Sequence, residues 1–175
     1  VVTAGDNNGT GGGATDITAA DVLIFTHEAA TVNTEAAAMT LGALQSTTAA
    51  SVVALIGTGA LTITNTLTSA AALQIVHAAG SHLIVSGAIT ETAAIINTLV
   101  GTAQLTLAGS SKTTAGDIGT SIDGNGVLNL SGTITQSGTV GTTNLGIGEV
   151  NISGASTVSG VLFSDDVNIT ASADF

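Results

Sequence analysis

The sequence predicts an all-β chain: a right-handed parallel β-helix, or β-solenoid, of about six turns with roughly 22 residues in each. Three observations carry this expectation. First, an apolar–x–apolar triplet recurs at Met39/Leu41, Leu61/Ile63, Leu83/Val85, Leu105/Leu107, Leu128/Leu130 and Val150/Ile152, with first members 22, 22, 22, 23 and 22 residues apart. Alternate side chains of a strand face one side, so each triplet reads as a strand with two inward residues. Second, other apolar slots keep the same frame. Six residues on come Leu67, Ile89 and Ile134; twelve to fourteen on come Val52/Val53, Leu73/Ile75, Ile95/Ile96, Ile118 and Val140; seventeen on come Ile56, Val100, Ile122, Leu145 and Val167. Third, Gly, Ser, Thr and Asn separate these slots, and the chain has 23 Gly and no Pro. Glycine allows positive φ and close approach at corners, whereas proline would delete a hydrogen bond between turns.

The elements follow in order. Residues 1–35 form an N-terminal Gly-rich segment and a first turn or cap. The alanine-rich stretch His27–Met39 admits a short capping helix with Thr26 as its N-cap. Residues 36–160 hold the regular turns, with an inner ladder of Leu61, Ile63, Leu83, Val85, Leu105, Leu107, Leu128, Leu130, Val150 and Ile152. Ser69–Val76 is also alanine-rich, but it falls on a turn slot and reads as strand. Within Gly124–Asn144, Leu128/Leu130 lie on one face, Ile134 on the next and Val140 on the third. Residues 161–175 form a C-terminal partial turn. Ala20–His27 and Asp165–Ser172 each place an apolar triplet 17 residues from its regular neighbour, so the chain is expected to start and stop part-way through a turn. The opening VVTAGDNN has neither Met nor a basic region and reads as a mature or excised segment.

Composition narrows the function. The net charge is −11, from one Lys, no Arg and twelve acids. Such a surface repels phosphate backbones and anionic lipid, so nucleic acid and membrane insertion are not expected. With 44% apolar residues the chain is nonetheless expected to fold. No Cys is present, which excludes disulfides and thiolate sites. No apolar run approaches the roughly 18 residues that span a bilayer. An extracellular setting suits this composition.

Charge and aromatic residues gather at the ends. Between Ala36 and Gly116 only Glu91 and Lys112 are charged, and the three aromatics are Phe25, Phe163 and Phe175. The end turns of a solenoid expose unpaired backbone groups. Phe25, Phe163 and Phe175 are therefore the expected assembly interface, through which the protein stacks on itself head-to-tail. Asp6, Asp16, Asp21, Asp165, Asp166 and Asp174 would repel across such a contact, and calcium could bridge them.

Other sites are weaker. His77 and His82 flank a corner with no third ligand nearby, and His27 is remote. Gly9–Ala14 fits G-x-G-x-x-A without the strand and helix that a dinucleotide needs, and Gly109–Thr114 lacks the Gly before Lys112 of a phosphate loop. Asp117 and Asp123 are the nearest carboxylate pair for a polysaccharide hydrolase. Catalysis is not expected, and no cofactor is implied beyond calcium. Asn8, Asn129, Asn151 and Asn168 begin N-x-[ST] sequons, and the last three should point outward and bond to one another or to water. Leu61–Thr68 carries Thr-x-Thr like an ice-binding face, but that pair does not repeat every 22 residues.

The stretches GALTITNTLTSAAAL, GNGVLNLSGTITQSGTVGTTN and GEVNISGASTVSG, within Gly59–Gly160, resemble passenger repeats of bacterial autotransporter surface antigens, closest in style to rickettsial outer-membrane surface proteins. The resemblance covers about 100 residues and implies a surface-exposed β-helix with a structural, protective or adhesive role. It implies no catalytic residue, and these 175 residues show none of the alternating membrane strands of that family's β-barrel. Two expectations follow: a structural block of a filament or layer, or an adhesin segment that binds host or neighbouring cells.

Overall fold

The computed structural model describes residues 2–4, 20–26, 29–47, 50–171 and 173–175. Along the chain, β1 (Val2–Ala4), β2 (Val22–Phe25) and β3 (Ala29–Asn33) open the rod. Then come β4 (Met39–Ser46) and β5 (Ser51–Ile56), β6 (Ala60–Ser69) and β7 (Leu73–His77), and β8 (His82–Val85), β9 (Ala88–Glu91) and β10 (Ile95–Leu99). The next turn holds β11 (Gln104–Leu107), β12 (Lys112–Thr114) and β13 (Ile118–Thr120). The last turns hold β14 (Asn125–Leu130) with β15 (Ile134–Gln136), β16 (Ile147–Ile152) with β17 (Ser156–Val158), and β18 (Ser164–Ile169) with β19 (Ala173–Asp174). The described residues contain no helix.

Each strand pairs in parallel with its equivalent one turn away, so three faces form, with turns about 4.8 Å apart. On the first face the register runs Met39–Leu61–Leu83–Leu105–Leu128–Val150–Val167, and beside it Leu41–Ile63–Val85–Leu107–Leu130–Ile152–Ile169. The expected ladder is therefore real, and all ten of its residues are buried. The second face stacks Leu23, Leu44, Leu67 and Ile89, then Lys112 on Ile134. The third stacks Val53, Ile75, Asn97, Ile118, Val140 and Leu162, with Val32, Leu55, His77 and Leu99 alongside. Ile134 and Val140 thus occupy the faces that the sequence assigned to them.

Corners set the glycine positions. A Cβ on Gly138 would lie 2.2 Å from the carbonyl oxygen of Gly116, and one on Gly160 would lie 2.1 Å from that of Gly138. Only glycine lets one corner rest on the backbone below it.

Two expectations need correction. The stretch His27–Met39 holds no capping helix among its described residues. Ala29–Asn33 is strand β3, paired with β5 through Ala29↔Val52 to Asn33↔Ile56. A ladder of five residues outweighs the helical preference of alanine, and Thr31 and Val32 are themselves strand formers. The triplet of Ala20–His27 lies on the second face, with Leu23 on Leu44. At the other end Val167 is in register with Val150, and Ser156–Val158 and Leu162 occupy the second and third faces between them. The 17-residue step is thus a whole, shortened turn.

Candidate functional site

The C-terminal end is where the ladders stop. Val150 and Ile152 are fully buried, whereas Val167 and Ile169, one turn above, are 41% and 48% exposed. All four occupy inner positions, so the upper pair forms an uncovered end of the core. Phe175 is 66% and Val161 56% exposed at the same end. The far edge of β18 has no partner strand among the described residues. Asp165 and Asp166 are exposed on this strand, and Asp166 stands in register with Glu149. Charges on an edge strand are a common guard against unwanted pairing.

A polar ladder climbs the outer first face to this edge. Asn129 Nδ2 donates to Thr106 Oγ1 (3.2 Å), Asn151 Nδ2 to Asn129 Oδ1 (3.0 Å), and Asn168 Nδ2 to Asn151 Oδ1 and Glu149 Oε1 (3.0 Å each). The three sequon asparagines do bond to one another as expected; Asn8 lies outside the described residues.

The expected assembly phenylalanines do not form one group. Phe25 is fully buried in the core near the N-terminal end, Phe163 is half-buried, and only Phe175 is open. Of the expected calcium ligands, Asp6 and Asp16 lie outside the described residues. Asp21 lies at the N-terminal end, and Asp165, Asp166 and Asp174 lie at the C-terminal end. Seven ladder steps along the first two faces separate β2 from β18, about 34 Å, so Asp21 and the others cannot share an ion within one copy. Among the described residues no three His, Asp or Glu side chains converge as a ligand set.

The remaining candidates serve the scaffold. Asp117 Oδ1 accepts from Thr139 N (2.8 Å) and Asp123 Oδ1 from Gly146 N (2.7 Å), so each carboxylate holds the corner one turn above. His77 is fully buried, with Nε2 3.0 Å from Asn97 Oδ1 and no partner for Nδ1. Burial pulls its pKa from 6.5 down to about 4, partly offset by the Asn97 bond, and the nearby His82 adds a smaller lowering. His82 lies 2.8 Å from Thr106 Oγ1, and burial lowers its pKa too. His27 lies outside the described residues.

Lys112 and Glu91 mark a fault. On the second face the inner residue follows the first-face strand by four positions at Val85/Ile89 and Leu130/Ile134, but by five at Leu107/Lys112. The extra residue falls in a corner where Gly109 and Ser111 have φ of 91° and 54°. No backbone ladder joins β9 to β12. Side chains bridge the gap instead. Lys112 Nζ donates to Ser86 O (2.9 Å), while Glu91 accepts from Thr114 Oγ1 (2.8 Å) and Ala115 N (2.6 Å). Lys112 is only 4% exposed, and burial lowers its pKa. The only two charges of the central stretch thus sit on either side of its one 23-residue step.

The structure also reveals a threonine column. Thr68 stacks on Thr90, and Thr113, Thr135 and Thr157 stack above on the same outer face. Thr-x-Thr pairs mark this column only at Thr68, Thr90 and Thr135, since Thr113 and Thr157 stand between Ser and Ala; the single repeat Thr68/90/113/135/157 would have exposed it in full. No family model, curated protein or solved structure matches the chain.

Proposed function

We propose that this protein is a non-catalytic extracellular building block, a rigid solenoid that joins other copies end-to-end in a surface filament or layer. The observation that supports this reading is the uncovered core at β18, where Val167 and Ile169 stand half-open above fully buried equivalents. A second copy would bury this apolar surface and pair the open edge, making a heterologous contact that propagates. The other end of the same sheet is β1, which supplies a second edge. Asp165 and Asp166 oppose the contact, so assembly should strengthen with salt. Calcium belongs to this reading as a bridge between Asp21 of one copy and Asp165, Asp166 or Asp174 of the next. Assembly that is indifferent to EDTA would remove the ion from it.

The test is negative-stain microscopy and light scattering across concentration, on the native chain and on Ile169→Lys. Filaments or sheets are expected from the native chain, and monomers from the variant, whose changed side chain lies on exposed surface. A native chain that stays monomeric at high concentration refutes the proposal.

The second reading, an adhesin segment that binds host or neighbouring cells, draws on Val52 and Ile96. They flank Gln74 in one outer column and are 42% and 40% exposed. No aromatic or Arg anchor stands in that column, which favours the structural reading. Binding of isolated monomer to cells would reverse the order.

A further inference from the structure

We propose that the rod opens reversibly along a one-sided seam between β9 and β12, releasing the segment around Lys112 while the rest stays folded. The seam lies on one face only. The first face continues through it from β8 to β11 (Gln104↔His82 to Leu107↔Val85), and the third continues from β7 through β10 to β13. On the second face the backbone bonds are replaced by three side-chain contacts, two of them to Glu91.

Two further features weaken the same place. A small void lies behind the seam, lined by Ile89, Glu91, Asn97, Leu107 and Thr114 among others. A gap that lacks atoms on one side forfeits dispersion contacts. The inner position is also filled by Lys112, where Leu67 and Ile89 below and Ile134 above present apolar groups. Opening returns an ammonium to water, whereas opening elsewhere in this ladder exposes Leu or Ile. Proteins open in local units of unequal stability, and among the described strands of the second face this is the one step with no ladder. The shift from four to five residues at Leu107/Lys112 is the cause, so the fault is written in the sequence.

The chain supplies its own reporter. Lys112 is the only Lys or Arg, so trypsin has one target, the Lys112–Thr113 bond. At 4% exposure that side chain cannot enter a protease pocket without opening. The experiment measures the trypsin cleavage rate of the native chain across urea concentrations below the global transition. It does the same for Glu91→Gln and for Ile152→Val, which lies in the core two turns away. Cleavage is expected in the absence of urea, with a denaturant slope well below the global one. Glu91→Gln should raise the rate about tenfold, because a charged acceptor of two bonds becomes neutral. Ile152→Val should lower global stability and leave the rate unchanged. Amide exchange at Ala115 should accelerate with the cleavage rate in Glu91→Gln. The inference is overturned if cleavage follows global stability in all three chains with the full denaturant slope, or if Glu91→Gln cleaves and exchanges like the native protein.

Discussion

Replacing the buried His77–Asn97 pair by the residues that the ladders demand should remove an acid sensitivity from this rod. His77 stacks between Leu55 and Leu99, and Asn97 between Ile75 and Ile118, so the matched replacement is His77→Leu with Asn97→Ile. In the native chain His77 has a pKa of about 4 against 6.5 when exposed. Below pH 6.5 the unfolded chain takes up a proton that the folded chain refuses until about pH 4. Stability from this group is therefore complete above pH 6.5, falls as the pH drops, and levels off below about pH 4. The full loss is about 3 kcal/mol, and about 2 kcal/mol is already gone at pH 5. Urea unfolding at pH 7.5 and pH 5 measures it, above the range where most carboxylates titrate. The double variant should lose about 2 kcal/mol less than the native chain over that interval. Its stability at pH 7.5 should equal or exceed the native value, since removing both partners also removes the unpaired Nδ1. Asn97 borders the void, which makes room for the larger side chain. Each single variant strands one polar partner and should cost about 1–3 kcal/mol. Any effect of His82 is common to both chains and cancels. An unchanged pH dependence in the double variant would show that His77 is not the sensor.

Three other outcomes are expected. Gly138→Ala should destabilise by about 1–3 kcal/mol, because its Cβ meets the Gly116 carbonyl at 2.2 Å, while Gly119→Ala, with open space around it, should be near neutral in thermal melts. Asn151→Ala breaks two bonds of the asparagine ladder and should cost about 1–2 kcal/mol in urea unfolding, with a smaller effect for the terminal Asn168→Ala. Deleting Ser111 restores the four-residue step and removes a residue at positive φ; it should raise stability by about 1–2 kcal/mol and protect the Ala115 amide from exchange, whereas a fall in melting temperature would mean that the extra residue is not the cause of the broken ladder.

The first face was readable because its slots are filled without exception by Met, Leu, Ile or Val from Met39 to Ile152. The second and third faces were harder to read, since Lys112 and Asn97 interrupt their ladders and apolar periodicity is blind to inward polar residues. Phe25 looked like an end contact because it lies early in the chain, yet β2 already packs on β4 and the ring points into the core. The helix considered for His27–Met39 rested on local propensity, which a ladder to β5 overrides. The open edge at β18 could not be inferred from Val167 and Ile169 themselves, which differ from Val150 and Ile152 only in having nothing stacked above them.

Apart from the His77–Asn97 pair inside the third-face ladders, the polar side chains that bond to the backbone follow a rule that explains how so plain a composition specifies one structure. Mid-strand, the backbone satisfies its own bonds from turn to turn, and the side chains need only be apolar and of similar size. At corners the ladders lapse and carbonyls lose their regular partners, so polar side chains appear there. Gln136 Nε2 donates to Gly116 O (2.8 Å) and Gly138 O (3.2 Å), and Thr34 Oγ1 to Gly59 O (2.8 Å). Asp117 and Asp123 do the same for corner amides, and Glu91 and Lys112 for a corner one residue too long. Buried polar atoms cost more when unpaired than they return when paired, so each fixes its corner in one arrangement. Side-chain chemistry is thus largely consumed in keeping the turns in register, and the outer faces are left mainly with small hydroxyls and amides, with Val52 and Ile96 as apolar exceptions. On this logic a partner would find distinctive surface only where the stacking stops, at β18 and the open core beside it.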